Sequence, residues 1–441
     1  MRILVCGARG FVGRHLCQSL QEAGHDIIYG VHHFSDYPNP QRDELLIDYS
    51  KDTSCGIWEK RLAALGNVDI IINAVGILTQ SKSAPFATIH RDAPIALFQA
   101  ANDAGVRGIV QISALGRDDQ ASEHSAPSSP KLSAYMQSKR DADHVLRQLP
   151  CKQLIMRPSL IVGIDGGSSQ LFRSLASMPI IALPGKGEQV VQPVHIDDLC
   201  LAVCRWVAEL KNENKVAAHH TLIHAVGPSA MSYRAMLSHY RHAMQLAPSL
   251  FIAIPMPLMR LGASVANFLP QKIFTSETLS MLEQGNIAES TDFSHYLGRP
   301  PKGVSTWFNE QNANSLAANA IATWSNILFR LTLAFLWIAT GIMSLWIYPI
   351  QESLLLLSQV GITSAYALPV LYLAGGLDLS IGIATLSHPS RRLWLFQFIL
   401  ILAYSLIIAV CLPEFLMHPF GPILKNIPIL AILLVLIAGE K

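Results

Sequence analysis

Charge is scarce in this sequence: Asp, Glu, Lys and Arg make up 15% of its 441 residues and nearly cancel, leaving +2 at pH 7. No block of basic residues interleaved with aromatics occurs, so no nucleic-acid partner is expected. Clustered thiols are missing too. The cysteines, Cys6, Cys17, Cys55, Cys151, Cys200, Cys204 and Cys411, number 7 and are never spaced C-x-x-C, which argues against a disulfide framework and for reduced thiols in a cytosolic domain. Cys200 and Cys204 share a helical face without further ligands beside them and read as packing residues. His219, His220 and His224 likewise lack a carboxylate or Cys at ligand spacing, and no metal site is expected. No secretory signal is expected either, because strand-like apolar residues begin at Ile3.

Apolar surface is in excess, and it is unevenly spread. Mean hydropathy is +0.33, too high for a purely soluble enzyme, yet residues 1–308 read as an ordinary globular mixture and apolar runs dominate beyond Trp324. The expected organisation is a globular domain over 1–308, an Asn-, Ala- and Ser-rich linker over 309–323 and a membrane domain over 324–441. Asn326–Tyr348, Tyr366–Leu386, Leu393–Leu412 and Pro422–Ala438 are four candidate spans, judged against the about 20 apolar residues that cross a hydrocarbon core. Arg330, Arg391, Arg392 and Lys441 fall on one side and Lys425 on the other. That asymmetry predicts a multi-pass protein of the inner (cytoplasmic) membrane with the globular domain in the cytoplasm. Asp378 stands inside the second span after Gly375 and Gly376; it needs an interior partner or a proton, and a structural hydrogen bond and proton or quinone handling are both open. The stretch Asn267–Ile287 is low in charge and reads as a packed lobe helix in preference to a membrane-surface one.

The segment from Arg2 to Gly13 organises the globular part. Ile3–Cys6 is a short apolar run of the kind found in a buried parallel strand. Gly7, Gly10 and Gly13 follow, and Phe11, Val12, Leu16 and Leu20 continue at helical spacing. Such a turn permits a tight bend, close approach of backbone to a pyrophosphate and close helix packing, with the helix N-terminus facing phosphate. Gly7, Arg9, Gly10, Phe11, Val12 and Gly13 are therefore expected cofactor contacts. Asp26–Val31 reads as the second strand and no Asp or Glu ends it, whereas Arg9, Arg14 and His32 offer partners to a 2′-phosphate. NADP(H) is expected over NAD(H), with NAD(H) the alternative.

Asp48, after a third strand at Leu45–Ile47, is placed to meet the adenine amine. Val68–Asn73 and Gly108–Ile112 read as strands four and five, and Ala74, Val75 and Gly76 let backbone approach the cofactor. Arg91–Ala104 is helical, and Ser122–Lys131 is a loop near the substrate. The alternation predicts an α/β fold: a doubly wound parallel Rossmann sheet with a smaller substrate lobe mainly within 166–300, followed by an all-α four-helix transmembrane domain. Ser133 then opens a helix that carries Tyr135 and Lys139 at i and i+4, on one face. That spacing suits an acid–base pair in which the ammonium lowers the phenol from about 10 toward neutrality while holding the nicotinamide ribose.

With the glycine turn, Asp48, Asn73–Gly76, Ser113, Tyr135 with Lys139, Arg157–Ser159, Gly163, Leu183–Gly187 and Gln192–Asp198, residues 1–310 resemble the extended and atypical branch of the short-chain dehydrogenase/reductase superfamily, epimerases and dehydratases included. The resemblance implies that Tyr135 gives or takes the proton with Lys139 as its partner, and that the segment holding Pro158 follows the strand that reaches the nicotinamide. Relatives usually carry a catalytic Ser or Thr just beyond where Ser113 falls, and Ala114 stands there; Ser113 or the Ser-rich loop is left to supply a second donor. The sequence also looks like the subset related to the Rossmann accessory subunit of respiratory complex I, whose members can hold NADPH without turning it over. The tail resembles DoxX-like membrane domains in layout. The function implied is a membrane-anchored NADP(H)-binding oxidoreductase or epimerase acting on a lipophilic, membrane-held carbonyl or alcohol. The alternative is a non-catalytic NADPH-binding scaffold or redox sensor partnered with a membrane redox protein.

Overall fold

The computed structural model describes residues 1–34, 43–116, 133–211, 220–266, 274–307, 312–417, 421 and 423–440. The expected Ser122–Lys131 loop and His219 lie outside them. The chain divides into two compact units, Met1–Ala320 and Ile321–Lys441.

In the first unit β1 (Arg2–Cys6), β2 (Asp26–Val31), β3 (Asp43–Leu46), β4 (Ile70–Asn73), β5 (Gly108–Ile112), β6 (Lys152–Pro158) and β7 (His220–Ala225) form one sheet, ordered β7-β6-β5-β4-β1-β2-β3. Every pairing is parallel. Ile3, Leu4, Val5, Ile70, Ile71 and Ile72 are all fully buried, as apolar runs must be in a sheet covered on both faces. One face carries α1 (Phe11–Glu22), and the other carries α2 (Cys55–Leu65), α3 (Ala93–Asp103) and α4 (Ala134–Gln148). Chain order reverses between β1 and β4, which opens a crevice at their carboxyl ends.

Not all of residues 166–300 form the lobe. After α5 (Gly167–Ser177), α6 (Ile196–Lys211) returns to the sheet beside α1, and β7 extends the sheet past β6. The physical reason is the apolar stripe Leu199, Val203, Trp206 and Leu210, which only a sheet face is broad enough to bury. The lobe proper gathers α5, the parallel strand pair Ile180–Pro184 and Leu250–Ile254, and the helix Tyr233–Ala243 around Met236, Leu237 and Tyr240. Within Asn267–Ile287, the helix Ser276–Gln284 packs through Leu279 and starts with a capping box of Thr275 and Thr278.

The linker expectation needs correction: Ala313–Ile342 is one helix, and Leu316, Ala317 and Ala320 belong to the lobe's apolar cluster. Alanine has the highest helix propensity, so a small-residue segment of this kind favours helix over loop once Leu316 gives it an apolar anchor. Among the described residues three helices are long and apolar enough to cross a membrane, Ala313–Ile347, Ser364–Ser387 and Arg391–Cys411. The fourth expected span is the 14-residue helix Asn426–Gly439. At 1.5 Å per residue it covers about 21 Å, short of a core about 30 Å thick. Gly375 lets Leu345 approach, whereas nothing lies near Gly376. Among the described residues Asp378 Oδ1 has no hydrogen-bond partner, so the interior partner expected for that oxygen is not found there.

Gly13 is the tightest point of the turn: a Cβ there would sit 2.1 Å from the carbonyl oxygen of Gly7 and 2.8 Å from its carbon. Backbone cannot give way as a flexible side chain would. Gly13→Val should lower the first unit's stability by about 1–3 kcal/mol or more, read as a lower apparent melting temperature. Gly76→Ala, whose Cβ would meet nothing nearer than Lys139 Nζ at 3.5 Å, should melt close to the parent.

Candidate active site

The crevice is floored by the glycine turn. Gly7 takes φ +80°, which a side chain disfavours. Its N–H and that of Ala8 both donate to the Gly30 oxygen, at 3.0 and 3.1 Å, which ties the turn to β2. Gly10 precedes α1, and no side chain caps that helix. The first-turn N–H groups, those of Phe11, Val12 and Gly13, are therefore left for an anionic ligand at a positive helix end. The Phe11 ring itself packs toward Gly163 and Gly166, where a Cβ would come within 2.8 and 2.9 Å of it. Phe11 thus offers backbone to the crevice and uses its side chain to close the loop after β6.

On the other wall, Asn73 at the end of β4 is fully buried. Its Oδ1 accepts from Tyr49 OH at 2.9 Å and from Val75 N–H at 3.2 Å, and its Nδ2 donates to Gln111 Oε1 at 2.8 Å. This sets the path of Ala74, Val75 and Gly76 beside the turn. Lys139 of α4 reaches beneath that loop and donates to the carbonyls of Val75 and Ile112, each at 3.2 Å. Burial pushes its ammonium down to about 8, against the pull of Asp143.

Tyr135, one turn earlier, is buried with 8% exposure. Burial, with the charge of Glu277 adding, pushes its phenol up to about 12. This corrects the expected drop toward neutrality: the ammonium is committed to two carbonyls and does not outweigh desolvation. The Tyr135 backbone N–H donates to Glu277 Oε1 at 3.3 Å, so the helix Ser276–Gln284 comes over the start of α4.

Three residues that spacing did not reveal complete the site. His90 lies in a π-helical turn, Ala87–Asp92, directly before α3. It is fully buried, its ring 5.1 Å from that of Tyr135 and edge-on to it. Ile77 N–H donates to its Nε2 at 3.0 Å, and Ser138 Oγ, which donates to the Tyr135 carbonyl at 2.7 Å, lies 3.3 Å from its Nδ1. The imidazole is thus neutral with the proton on Nδ1, and burial followed by the nearby Lys139 pushes it down to about 2. A lone histidine has no sequence signature; the π-turn that aims it inward is visible only in three dimensions. Glu277 was hidden for a similar reason, lying far along the chain from α4. Asp143, the third, is one turn beyond Lys139 and 1% exposed.

Ser113 does not face the crevice as a free donor. Its hydroxyl donates to Asp143 Oδ2 at 2.8 Å, which also receives Arg157 Nε at 3.0 Å and lies 3.6 Å from Arg140. Burial raises the Asp143 carboxyl, and Arg157, Ser113 and Arg140 pull the other way. Pro158 ends β6 beside this group, its carbonyl accepting from Leu115 N–H at 2.9 Å.

The basic residues near the expected 2′-phosphate site have acidic partners. Arg9 donates to Glu44 at 2.9 and 3.1 Å and to the His33 carbonyl at 2.6 Å, while Arg14 pairs with Asp165 at 3.1 Å. His32 is exposed and lies 3.9 Å from Asp48. Asp48 accepts from the N–H and hydroxyl of Ser50 at 3.0 and 2.6 Å, which with Lys51 holds it down at about 2 despite partial burial. Arg9 and His32 rim the end of β2, and Arg14 is directed away toward the loop after β6. Among the described residues no group of three or more His, Cys, Asp or Glu could hold a metal.

Comparison with known proteins bears on the family of each part of the chain and on the fold. Residues 3–218 match the NAD dependent epimerase/dehydratase family and residues 334–434 the DoxX-like family. Among curated proteins, a ceramide reductase of Caulobacter vibrioides is 27% identical over 207 residues, 46% of this chain and 61% of that protein. The NADH dehydrogenase [ubiquinone] 1 alpha subcomplex subunit 9 of Arabidopsis thaliana mitochondria is 24% identical over 280 residues, 61% of this chain and 64% of that one. The chain thus spans less than two thirds of the length of either. The UDP-glucuronic acid 4-epimerase of Bacillus cereus, solved with UDP-glucuronic acid and NAD, is 17% identical with a TM-score of 0.51, covering 72% of this chain and 99% of that one. That likeness carries the fold. The N-terminal domain is accordingly an NAD dependent epimerase/dehydratase domain, and the C-terminal one is DoxX-like and places the protein in a membrane.

Lys139 ties stability to pH. The unfolded chain keeps that proton to its ordinary 10.5 whereas the native state releases it at about 8. Between those values the unfolded state binds more protons, so stability rises with pH across the window. Lys139→Met should remove a rise of about 2 kcal/mol between pH 7.5 and 9.5, at 1.36 kcal/mol per pH unit, measured by denaturant unfolding of the cofactor-free protein at pH 7.5, 8.5 and 9.5.

Proposed function

We propose that this chain is a membrane-anchored, NADP(H)-binding oxidoreductase or epimerase whose substrate is a carbonyl or alcohol on an apolar, membrane-held molecule. The observation that carries this reading is the placement of Tyr135 and Lys139 on one face of α4, with Lys139 hydrogen-bonded beneath Val75 beside the glycine turn. The cradle fits a dinucleotide: Gly13 has no room for a side chain, Gly7 takes a positive φ, α1 is uncapped, and the space a Cβ of Gly76 would take is bounded by Lys139 Nζ and His90 Nε2. When bound, the nicotinamide supplies or accepts a hydride at the substrate carbon.

The chain's own residues do the rest. The uncapped N–H groups of α1 bind the pyrophosphate. Lys139 holds the ribose hydroxyls and faces the phenol of Tyr135 with its positive charge. Tyr135 OH hydrogen-bonds the substrate oxygen and moves the proton, giving it in reduction and taking it in oxidation. Neutral His90 braces the Tyr135 ring and, through Ser138, the first turn of α4. Because Ser113 is bound to Asp143, Tyr135 polarises the substrate oxygen without it. A lipophilic substrate is supported by the likeness to a ceramide reductase and by the membrane domain, which holds the site where such molecules are concentrated. NADP(H) is favoured because no acid ends β2 while Arg9 and His32 rim that end. Placement in the cytoplasmic membrane, with the first domain in the cytoplasm, follows the arginine asymmetry of the spans.

A second reading is favoured by the occupied Ser113 and by the likeness to the complex I subunit: a scaffold that holds NADPH without turnover beside a membrane redox partner. Turnover separates the two. With purified protein and NADPH, a panel of lipid ketones and short-chain quinones should include one that is reduced. Tyr135→Phe should then lower that rate about 10²–10⁴-fold while NADPH binding, followed by fluorescence, stays near the parent; tight binding with no oxidation across the panel would favour the scaffold.

Cofactor choice gives an independent check. Arg9→Glu should weaken NADPH binding far more than NADH binding, since the introduced carboxylate repels the 2′-phosphate that only NADPH carries. Equal loss for both would overturn the NADP(H) preference.

A further inference from the structure

Two consecutive elements of the lobe turn apolar faces outward. In the parallel pair, Ile180 stands opposite Leu250 and Ala182 opposite Ile252. Ile181 and Leu183 point inward and are buried, so the outward row is Ile180, Ala182, Leu250 and Ile252, with the three larger residues 53%, 61% and 42% exposed. The outer face of a surface sheet is ordinarily polar. Helix Met256–Ala266 follows directly. It buries Ala263 and Ala266 and exposes Leu258, Leu261 and Val265 at 56%, 61% and 59%, spaced i, i+3 and i+7 along one face. The sole charge in that helix, Arg260, is held by Glu283 through two contacts of 3.0 and 3.1 Å. Neither outward face therefore carries a free charge, and both expose aliphatic side chains that folding alone would have hidden.

Among the described residues of the same chain three helices are long and apolar enough to cross a membrane. Its first domain is consequently tethered to a bilayer, and tethering gives even a weak interfacial contact a high effective concentration. We propose that the strand pair Ile180–Pro184 and Leu250–Ile254 and the helix Met256–Ala266 form a membrane-docking surface, with Leu258, Leu261 and Val265 entering the boundary between headgroups and acyl chains. A short helix with an aliphatic face, lying flat, suits that layer. On the inner side of the same strands Leu183, Phe251 and Ala253 line a cleft of about 240 Å³ together with Lys186, Glu188 and Arg234, so the charged side chains of that cleft belong to the opposite face and the contact rests on the aliphatic row and the helix. This inference rests on the membrane spans and the exposed faces and stands whether or not the site turns over NADPH.

The test uses the full chain in vesicles of phosphatidylcholine and phosphatidylglycerol. Leu261→p-benzoylphenylalanine is irradiated and the protein weighed intact, with Leu373→p-benzoylphenylalanine, in the span Ser364–Ser387, and Lys60→p-benzoylphenylalanine, exposed on α2, as references. A mass gain of one phospholipid at Leu261 and Leu373, and none at Lys60, is expected. An adduct from Leu261 to a second copy, to the chain's own C-terminal domain or to another protein would overturn the proposal. So would no lipid adduct at Leu261 where Leu373 gives one. Unchanged NADPH affinity, or for a protein that binds none an unchanged melting temperature, confirms that the Leu261 variant is folded; this solvent-exposed position leaves the core intact.

Discussion

The ammonium of Lys139 sits beneath the carboxyl ends of β4 and β5, donating to the carbonyl of Val75 at the one and of Ile112 at the other. Parallel strands end with carbonyls that have no further ladder partner, and a buried cation between two of them satisfies both. The cost is desolvation, visible in the depressed lysine, and the opposite charge that acts against it is Asp143 one turn on. That arrangement fixes the rotation of α4 about its axis. Once Lys139 must reach those two carbonyls, Tyr135 has to point at the same end of the sheet.

From this one constraint the asymmetry of the site follows. Asp143 balances the buried cations, and Arg157 and the hydroxyl of Ser113 bind it. Ser113 therefore belongs to the electrostatic support of α4 and not to the open crevice. A hydroxyl bound to a buried carboxylate would have to break a charge-assisted hydrogen bond in order to meet a substrate. On the proposed reading the polarising duty then falls on Tyr135, whose ring is pressed on by His90 and Phe86 at 5.1 and 5.6 Å. In that proposal a phenol held in place by two rings acts alone as the donor, in keeping with catalysis through preorganised groups.

Strands β1, β2, β4 and β5 were legible because each is a short apolar run bounded by Gly or a small polar residue, and the glycine turn because three glycines at that spacing leave few other folds. Lys139 and Tyr135 were legible by helical periodicity. His90, Asp143 and Glu277 were not, since each gains its role from a neighbour distant in sequence, and only the sheet order brings Gly76, His90 and Lys139 together. That α6, inside the 166–300 stretch, joins the sheet was not legible for a related reason: it carries a lobe-like position in the chain and a core-like apolar stripe, and the stripe decided. Charge counting also saw Arg9 and Arg14 without the carboxylates that fold back onto them, Glu44 and Asp165.

The membrane domain obeys different rules from the sheet above. Among helices surrounded by acyl chains, apolar contact alone gives little preference for association, so close packing and hydrogen bonds must supply it. Both are present. At Gly341, Gly375 and Gly382 a Cβ would come within 2.8, 2.6 and 2.5 Å of Leu379, Leu345 and Ile338, which brings the helices Ala313–Ile347 and Ser364–Ser387 together. Trp337 donates to Gln397 at 2.7 Å, and Gln397 donates to Thr385 at 3.0 Å, all three buried and drawn from three helices. Trp337, Gln397 and Thr385 thus join three helices through neutral side chains, whereas the buried carboxylate of the first unit, Asp143, is held by the charge of Arg157.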